Sequence, residues 1–255
     1  MHSLQHEEFI AVVREESVTL ADALRAGGGD VSTPVPSCPG WSIAKLVKHT
    51  STAQRWACAI VETRATEPVS PQSLDLGLGD GTERDANALA DWFVDGSTRL
   101  ADVLAATEPT LEVWSWAGHN HAGFWSRRMA HETAMHRWDA QHARGDAAPI
   151  DGDLSVDGIQ ERFDNLPGTV ARGAAAMTGD GETVHLHCTD REGEWLVRLA
   201  PDGPEITHGH AKGDVAARAG ASDLLLMVYG RIPTDAVEVF GDNALLQRFQ
   251  ELAKL

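Results

Sequence analysis

The sequence predicts an α+β protein: a four-helix bundle followed by a small mixed domain. Four long stretches in the first 145 residues repeat apolar side chains at helical spacing. Beyond residue 180 the pattern changes to apolar–polar alternation, the mark of half-buried strands. Composition shifts between these regions at Gly145-Asp146-Ala147-Ala148-Pro149, and of eight tryptophans only Trp195 follows that point. The domains are therefore expected at 1–147 and 148–255, a length that gives each its own core.

Helix one is expected from about Ser3 to Ala26, with Phe9, Val12, Val13, Leu20 and Leu24 on one face and a stop at Gly27-Gly28-Gly29. A Pro-rich connector, 34–41, follows. Ser42 is a good N-cap for helix two, whose stripe is Ile43, Leu46, Val47, Ala57, Ile60 and Val61. Glu67 to Gly81 reads as a loop. Helix three runs from about Glu83 to Ala106, with Leu89, Phe93, Leu100 and Leu104 inward, and helix four from about Ala122 to Arg144. In the second domain Asp153 to Ala176 reads as helical. Thr183–Cys188 and Glu194–Leu199 read as strands joined by a hairpin at 189–193. Val215–Ala217 is a further strand; Ala221–Gly230 and Asn243–Lys254 are helices.

The net charge of −17 argues against nucleic acid, since phosphate recognition needs a basic surface. No apolar run is long enough to span a bilayer. The first twenty residues carry Glu7, Glu8, Glu15 and Glu16 and no signal-peptide core, so a cytoplasmic location is expected. Three scattered cysteines, Cys38, Cys58 and Cys188, suit reduced structural thiols and not a disulfide framework.

Helix four carries the chemistry. One stripe at 3.6 residues per turn runs Trp125, Met129, Glu132, His136, Asp139 and Ala143. Its ends are apolar, yet a carboxylate and an imidazole occupy the middle, where burial is costly without compensation. A bound metal compensates both. Glu132 and His136 converge on one patch, and His49, on the edge of the buried arc of helix two, can supply a third ligand. Two imidazoles and a carboxylate suit zinc with an open position; iron, nickel or manganese also fit this set. Asp139 is placed to orient a ligating imidazole. The same spacing also suits a plain surface Glu–His ion pair. His119 and His121 are alternative ligands, whereas His131 and His142 fall off the stripe and are expected to face solvent.

Three segments carry a resemblance. Pro36-Ser37-Cys38-Pro39-Gly40-Trp41-Ser42 with Lys45-Leu46-Val47-Lys48-His49, then His131-Glu132-Thr133-Ala134-Met135-His136-Arg137-Trp138-Asp139, resemble two motifs of the mycothiol-dependent maleylpyruvate isomerase family. The stretches 222–231 and 237–242 resemble its C-terminal domain. The resemblance implies a DinB-like bundle joined to a sterol-carrier-like α+β domain. It implies a divalent metal, usually zinc, on His49, Glu132 and His136, with mycothiol as thiol cosubstrate. It also implies that a thiolate adds to the double bond of maleylpyruvate, the resulting single bond rotates, and elimination returns the trans isomer. An arginine of the C-terminal domain is expected to serve the substrate carboxylates, with Arg231 the best match and Arg218 a second cation; an exposed arginine ending a helix is the plainer role for Arg231. A mycothiol S-transferase acting on another electrophile needs the same ligands. A non-catalytic binding protein that encloses an apolar ligand in its second domain, and a non-enzymatic metalloprotein such as a sensor, are the remaining alternatives.

Overall fold

The computed structural model describes residues 4–79 and 81–254. Ser3, the expected start of helix one, and Asp80, in the expected loop, lie outside the described residues. The chain divides into two compact units, Leu4–Ala148 and Pro149–Leu255.

The first unit is built on α1 (His6–Arg25), α2 (Ile43–Glu62), α3 (Ala86–Ala105) and α4 (Ala122–Arg144). Their ends are set by local chemistry. The side chains of Ser42 and Asp85 accept the third backbone N–H of α2 and α3, and Gly145, at φ 81°, closes α4 in the left-handed conformation that glycine adopts without a Cβ penalty. α1 packs along α3 and α4, and α2 packs along the same two helices. Val13, Leu20, Leu46, Ile60, Phe93, Leu100 and Trp125 are fully buried between them. Each such side chain contributes about 2 kcal/mol by leaving water. α4 is the central helix, buried on most of its circumference.

That centrality corrects one expectation. His131 does not face solvent: it is 5% exposed, with its ring edge-on to Phe9 of α1. α1 covers the side of α4 that a single-stripe reading leaves open. His142 is exposed and stacks on Trp138.

In the second unit, α5 (Gly152–Asp164) and α6 (Leu166–Ala171) replace the single expected helix; Pro167, which cannot donate a helical hydrogen bond, sits in the first turn of α6. Five strands follow: β1 (Thr183–Cys188), β2 (Glu194–Ala200), β3 (Gly203–His208), β4 (Val215–Ala219) and β5 (Glu238–Gly241), with α7 (Ala221–Val228) after β4 and α8 (Asn243–Ala253) last. The sheet order is β3-β2-β1-β4-β5, with β1 parallel to β4 and the other pairs antiparallel. α7 and α8 pack on β1 and β4, burying Val184, Leu186, Leu224, Leu246 and Phe249. β3 and β5 were not expected. Both are edge strands, where Pro204 costs no ladder bond and Phe240 stays exposed, so neither shows a buried alternation. Among the described residues no helix is long and apolar enough to cross a membrane.

Candidate metal centre

The Pro-rich connector before α2 is not slack chain. Trp41 N–H donates to the Cys38 carbonyl at 3.0 Å around Pro39-Gly40, with Gly40 at φ 79°. Proline then glycine in these places is the chemistry of a type II turn. A second hydrogen bond, Val35 N–H to the Trp41 carbonyl at 2.9 Å, closes the loop on itself. The turn presents Cys38 and Trp41 to the middle of α4.

There the three expected ligands meet. His49 Nε2 lies 3.1 Å from Glu132 Oε1, and His136 Nε2 lies 3.2 Å from the same oxygen. The two imidazole rings stand edge to face, 5.2 Å apart. The side chains of Glu132 and His136 are 17% and 8% exposed, and that of His49 is 47% exposed, so the site is deep on the α4 side and open past His49. Tetrahedral zinc with bonds of about 2.0–2.1 Å needs donors about 3.3 Å apart. The two nitrogen-to-oxygen separations are close to that edge, and the three donor atoms lie within 4.8 Å of one another, as one group able to hold a metal ion.

The surrounding side chains orient the three. His136 Nδ1 is 2.9 Å from Asp139 Oδ2, and Asp139 is fully buried, so the ring is fixed with Nε2 toward Glu132. Arg128, also buried, donates to Glu132 Oε2 at 2.7 Å and leaves Oε1 to the histidines. Cys38 Sγ donates to Asp139 Oδ2 at 3.5 Å. The Trp41 ring packs on His49 at 4.8 Å and on His136 at 6.2 Å. Cys38, His136 and Asp139 form a second potential ligand group, on the Nδ1 side of the same ring. The Nδ1–carboxylate contact has the form of an outer support of a ligating imidazole, and the Nε2 side faces the half-exposed His49.

The electrostatics of these side chains reflect this packing. Burial alone raises the Glu132 carboxyl, but hydrogen bonds from His136 and His49, with the charges of His136 and Arg128, outweigh it and hold the group well below its usual range. Burial alone lowers His136, but its contacts to Asp139, Cys38 and Glu132 hold it well above. By contrast, burial pushes the Cys188 thiol up to about 12 and raises Cys58, as structural thiols require.

The other sequence candidates lie elsewhere. His121 caps α4, its Nδ1 accepting from Phe124 N–H, and His119 stacks on Phe124. Neither belongs to a metal-ligand group among the described residues. Arg231 follows α7 in the second unit, half-buried, with Nη1 donating to the Tyr229 carbonyl at 3.2 Å. Arg218, on β4, pairs with Glu238 at 3.3 Å. Sequence reading assigned Arg128 no role, took Cys38 for a structural thiol and named Trp41 only as part of a motif. The first was visible as the i−4 partner of Glu132, and the other two as neighbours of the Pro39-Gly40 turn.

Two solved structures match over 94% of this chain and 95% of theirs, each with a TM-score of 0.64: the mycothiol-dependent maleylpyruvate isomerase at 15% identity and a point mutant of that enzyme at 14%. At that identity they establish a shared fold. No curated protein matches the chain. The family model of the mycothiol maleylpyruvate isomerase N-terminal domain matches residues 13–141 and that of the MDMPI C-terminal domain matches 153–248, so the chain belongs to the mycothiol maleylpyruvate isomerase family.

Proposed function

We propose that this chain is a divalent-metal-dependent enzyme that activates mycothiol for addition to an electrophile, with cis–trans isomerisation of a maleylpyruvate-type substrate as its reaction. The observation that carries the proposal is the convergence of two imidazole nitrogens on one carboxylate oxygen at 3.1 and 3.2 Å, in a chain of this family. A divalent metal, zinc by ligand type, supplies Lewis acidity that lowers the pKa of a thiol brought to it. The residues of the chain do the rest. Asp139 fixes the tautomer and direction of His136. Arg128 fixes the rotamer of Glu132. Trp41 walls the histidines and limits water. In the reaction the sulfur forms a C–S bond to the alkene while the π pair moves onto the conjugated carbonyl. Rotation about the new single bond follows. The enolate pair then re-forms the double bond and expels the thiolate, so the thiol is regenerated.

Arg231 is assigned to the carboxylates of the substrate. Arg231→Ala is expected to leave metal content unchanged and to lower kcat/KM for an anionic substrate by roughly 10- to 100-fold, the worth of one charged hydrogen bond. Unchanged kinetics would return Arg231 to capping its helix. The S-transferase reading keeps one point in its favour: beside the site, Arg128 is committed to Glu132 and Lys45 lies over the Trp41 ring at 5.2 Å, so dicarboxylate recognition must come from elsewhere. The deciding experiment is elemental analysis of untagged wild type and His136→Ala, followed by assays with mycothiol and either maleylpyruvate or generic electrophiles. Loss of one metal equivalent in the variant together with isomerase turnover in the wild type supports the proposal. Equal metal content in the two proteins overturns the ligand set, and turnover only with generic electrophiles makes the protein a transferase.

A further inference from the structure

A second cluster of ligand-type side chains lies in the sheet of the other unit. His185 and His187 stand two apart on β1, so both project from the face opposite Val184 and Leu186. Glu194 opens β2 directly across the ladder from His187. β3 is an edge strand and β4 lies beyond β1, so the 209–214 connection must cross β2 and β1, and it carries His210 with it. All three imidazoles meet the one carboxylate. His185 Nε2 and His210 Nδ1 each lie 3.2 Å from Glu194 Oε2, and His187 Nδ1 lies 2.9 Å from Oε1.

Two features go beyond charge pairing. The four donor atoms all lie within 4.8 Å of one another, and the two nitrogens that meet Oε2 lie 3.2 Å from it, close to the roughly 3.3 Å edge of a tetrahedral zinc site. His187 Nδ1 is buried and, close as it is to Glu194, has no hydrogen-bond partner. A cation shared between that nitrogen and the carboxylate would satisfy both. We propose that His185, His187, Glu194 and His210 form a second, zinc-class metal site, closed by four protein ligands, that ties the β3–β4 crossover to the sheet. Three imidazoles and one carboxylate select zinc over calcium or magnesium, which take oxygen ligands. An open cavity of about 700 Å³, lined by His185, His187, His210, Lys212 and Arg218, gives the ion an entry path.

The test uses untagged, chelator-stripped His136→Ala protein, which leaves the second cluster intact whether or not the bundle holds a metal. Cobalt(II) is titrated while the visible absorption of tetrahedral cobalt is followed. One equivalent should bind, zinc should displace it, and His136→Ala/His187→Ala should bind none. His210 has a side chain 83% exposed, so His210→Ala leaves the core undisturbed. Added to His136→Ala, it should weaken binding by at least roughly tenfold, the cost of losing even an outer partner of a ligand, and should speed hydrogen exchange at 209–213. No cobalt bound by His136→Ala, or affinity unchanged by His210→Ala, would falsify the site.

Discussion

His136→Ala, Glu132→Ala and His49→Ala are each expected to empty the bundle site and to cut turnover with mycothiol on the order of 10³-fold or more. The size of the loss separates two contributions. A thiol of ordinary pKa, about 8.5, is roughly 3% thiolate at neutral pH, so ionisation alone accounts for only about 30-fold. The remainder comes from holding sulfur and electrophile at attack distance. The two can be separated by assaying the variants near pH 9. Ionisation returns there and should restore about 30-fold, whereas positioning should not return. Complete recovery at high pH would mean that the site only deprotonates. Full metal retention with lost activity in any variant would remove that residue from the ligand set. Asp139→Asn is the graded case. It keeps all three ligands but removes the carboxylate that fixes His136 Nδ1, and metal affinity should fall about 10- to 100-fold.

The placement of the candidate ligands was largely legible because helix periodicity fixes direction. Glu132, His136 and Asp139 share one stripe with Trp125 and Met129, and burial of the apolar members commits the polar ones to the interior. The same method failed at His131, because a central helix is covered on more than one side and a single stripe undercounts its buried face. It was silent on Cys38 and Trp41, which sit in an aperiodic connector whose geometry comes from one turn and not from a repeat. In the second unit the buried strands β1, β2 and β4 announced themselves by alternation or apolar runs. The edge strands β3 and β5 did not, because a strand with one neighbour and an exposed face needs no apolar pattern. The His185/His187 pair stood in plain view on an expected strand. Its partners Glu194 and His210 become neighbours only through the register of β1 on β2 and the path of the crossover, neither of which local patterning specifies.

Glu132→Ala should also be the most destabilising of the three ligand changes in metal-free protein, and the reason lies in Arg128. With Glu132 gone, the buried Arg128 guanidinium loses this carboxylate and the buried His136 keeps Asp139 alone, and removing one partner of a buried ion pair costs up to about 3–5 kcal/mol. His49, with nearly half its side chain exposed, should cost less than about 1 kcal/mol on removal. The pH dependence follows from the two shifts. The Glu132 pKa is lowered on folding, so its contribution is present above the ordinary carboxylate range and is lost as pH falls through the folded value. The His136 pKa is raised, so its contribution is full below the ordinary imidazole value and is lost as pH rises through the higher folded one. Metal-free protein should therefore weaken on the alkaline side of neutrality. Metal binding runs the other way, because it needs the neutral imidazole and must expel the proton that His136 holds. The Tm difference between metal-loaded and metal-free protein should widen from about pH 6 to about pH 8, and the widening should shrink in His136→Ala. Thermal melts of wild type and variant at both pH values, with and without zinc, measure this directly. A gap that stays constant with pH in the wild type would show that His136 carries no proton for the metal to displace, and the ion-pair account of the metal-free site would fail with it.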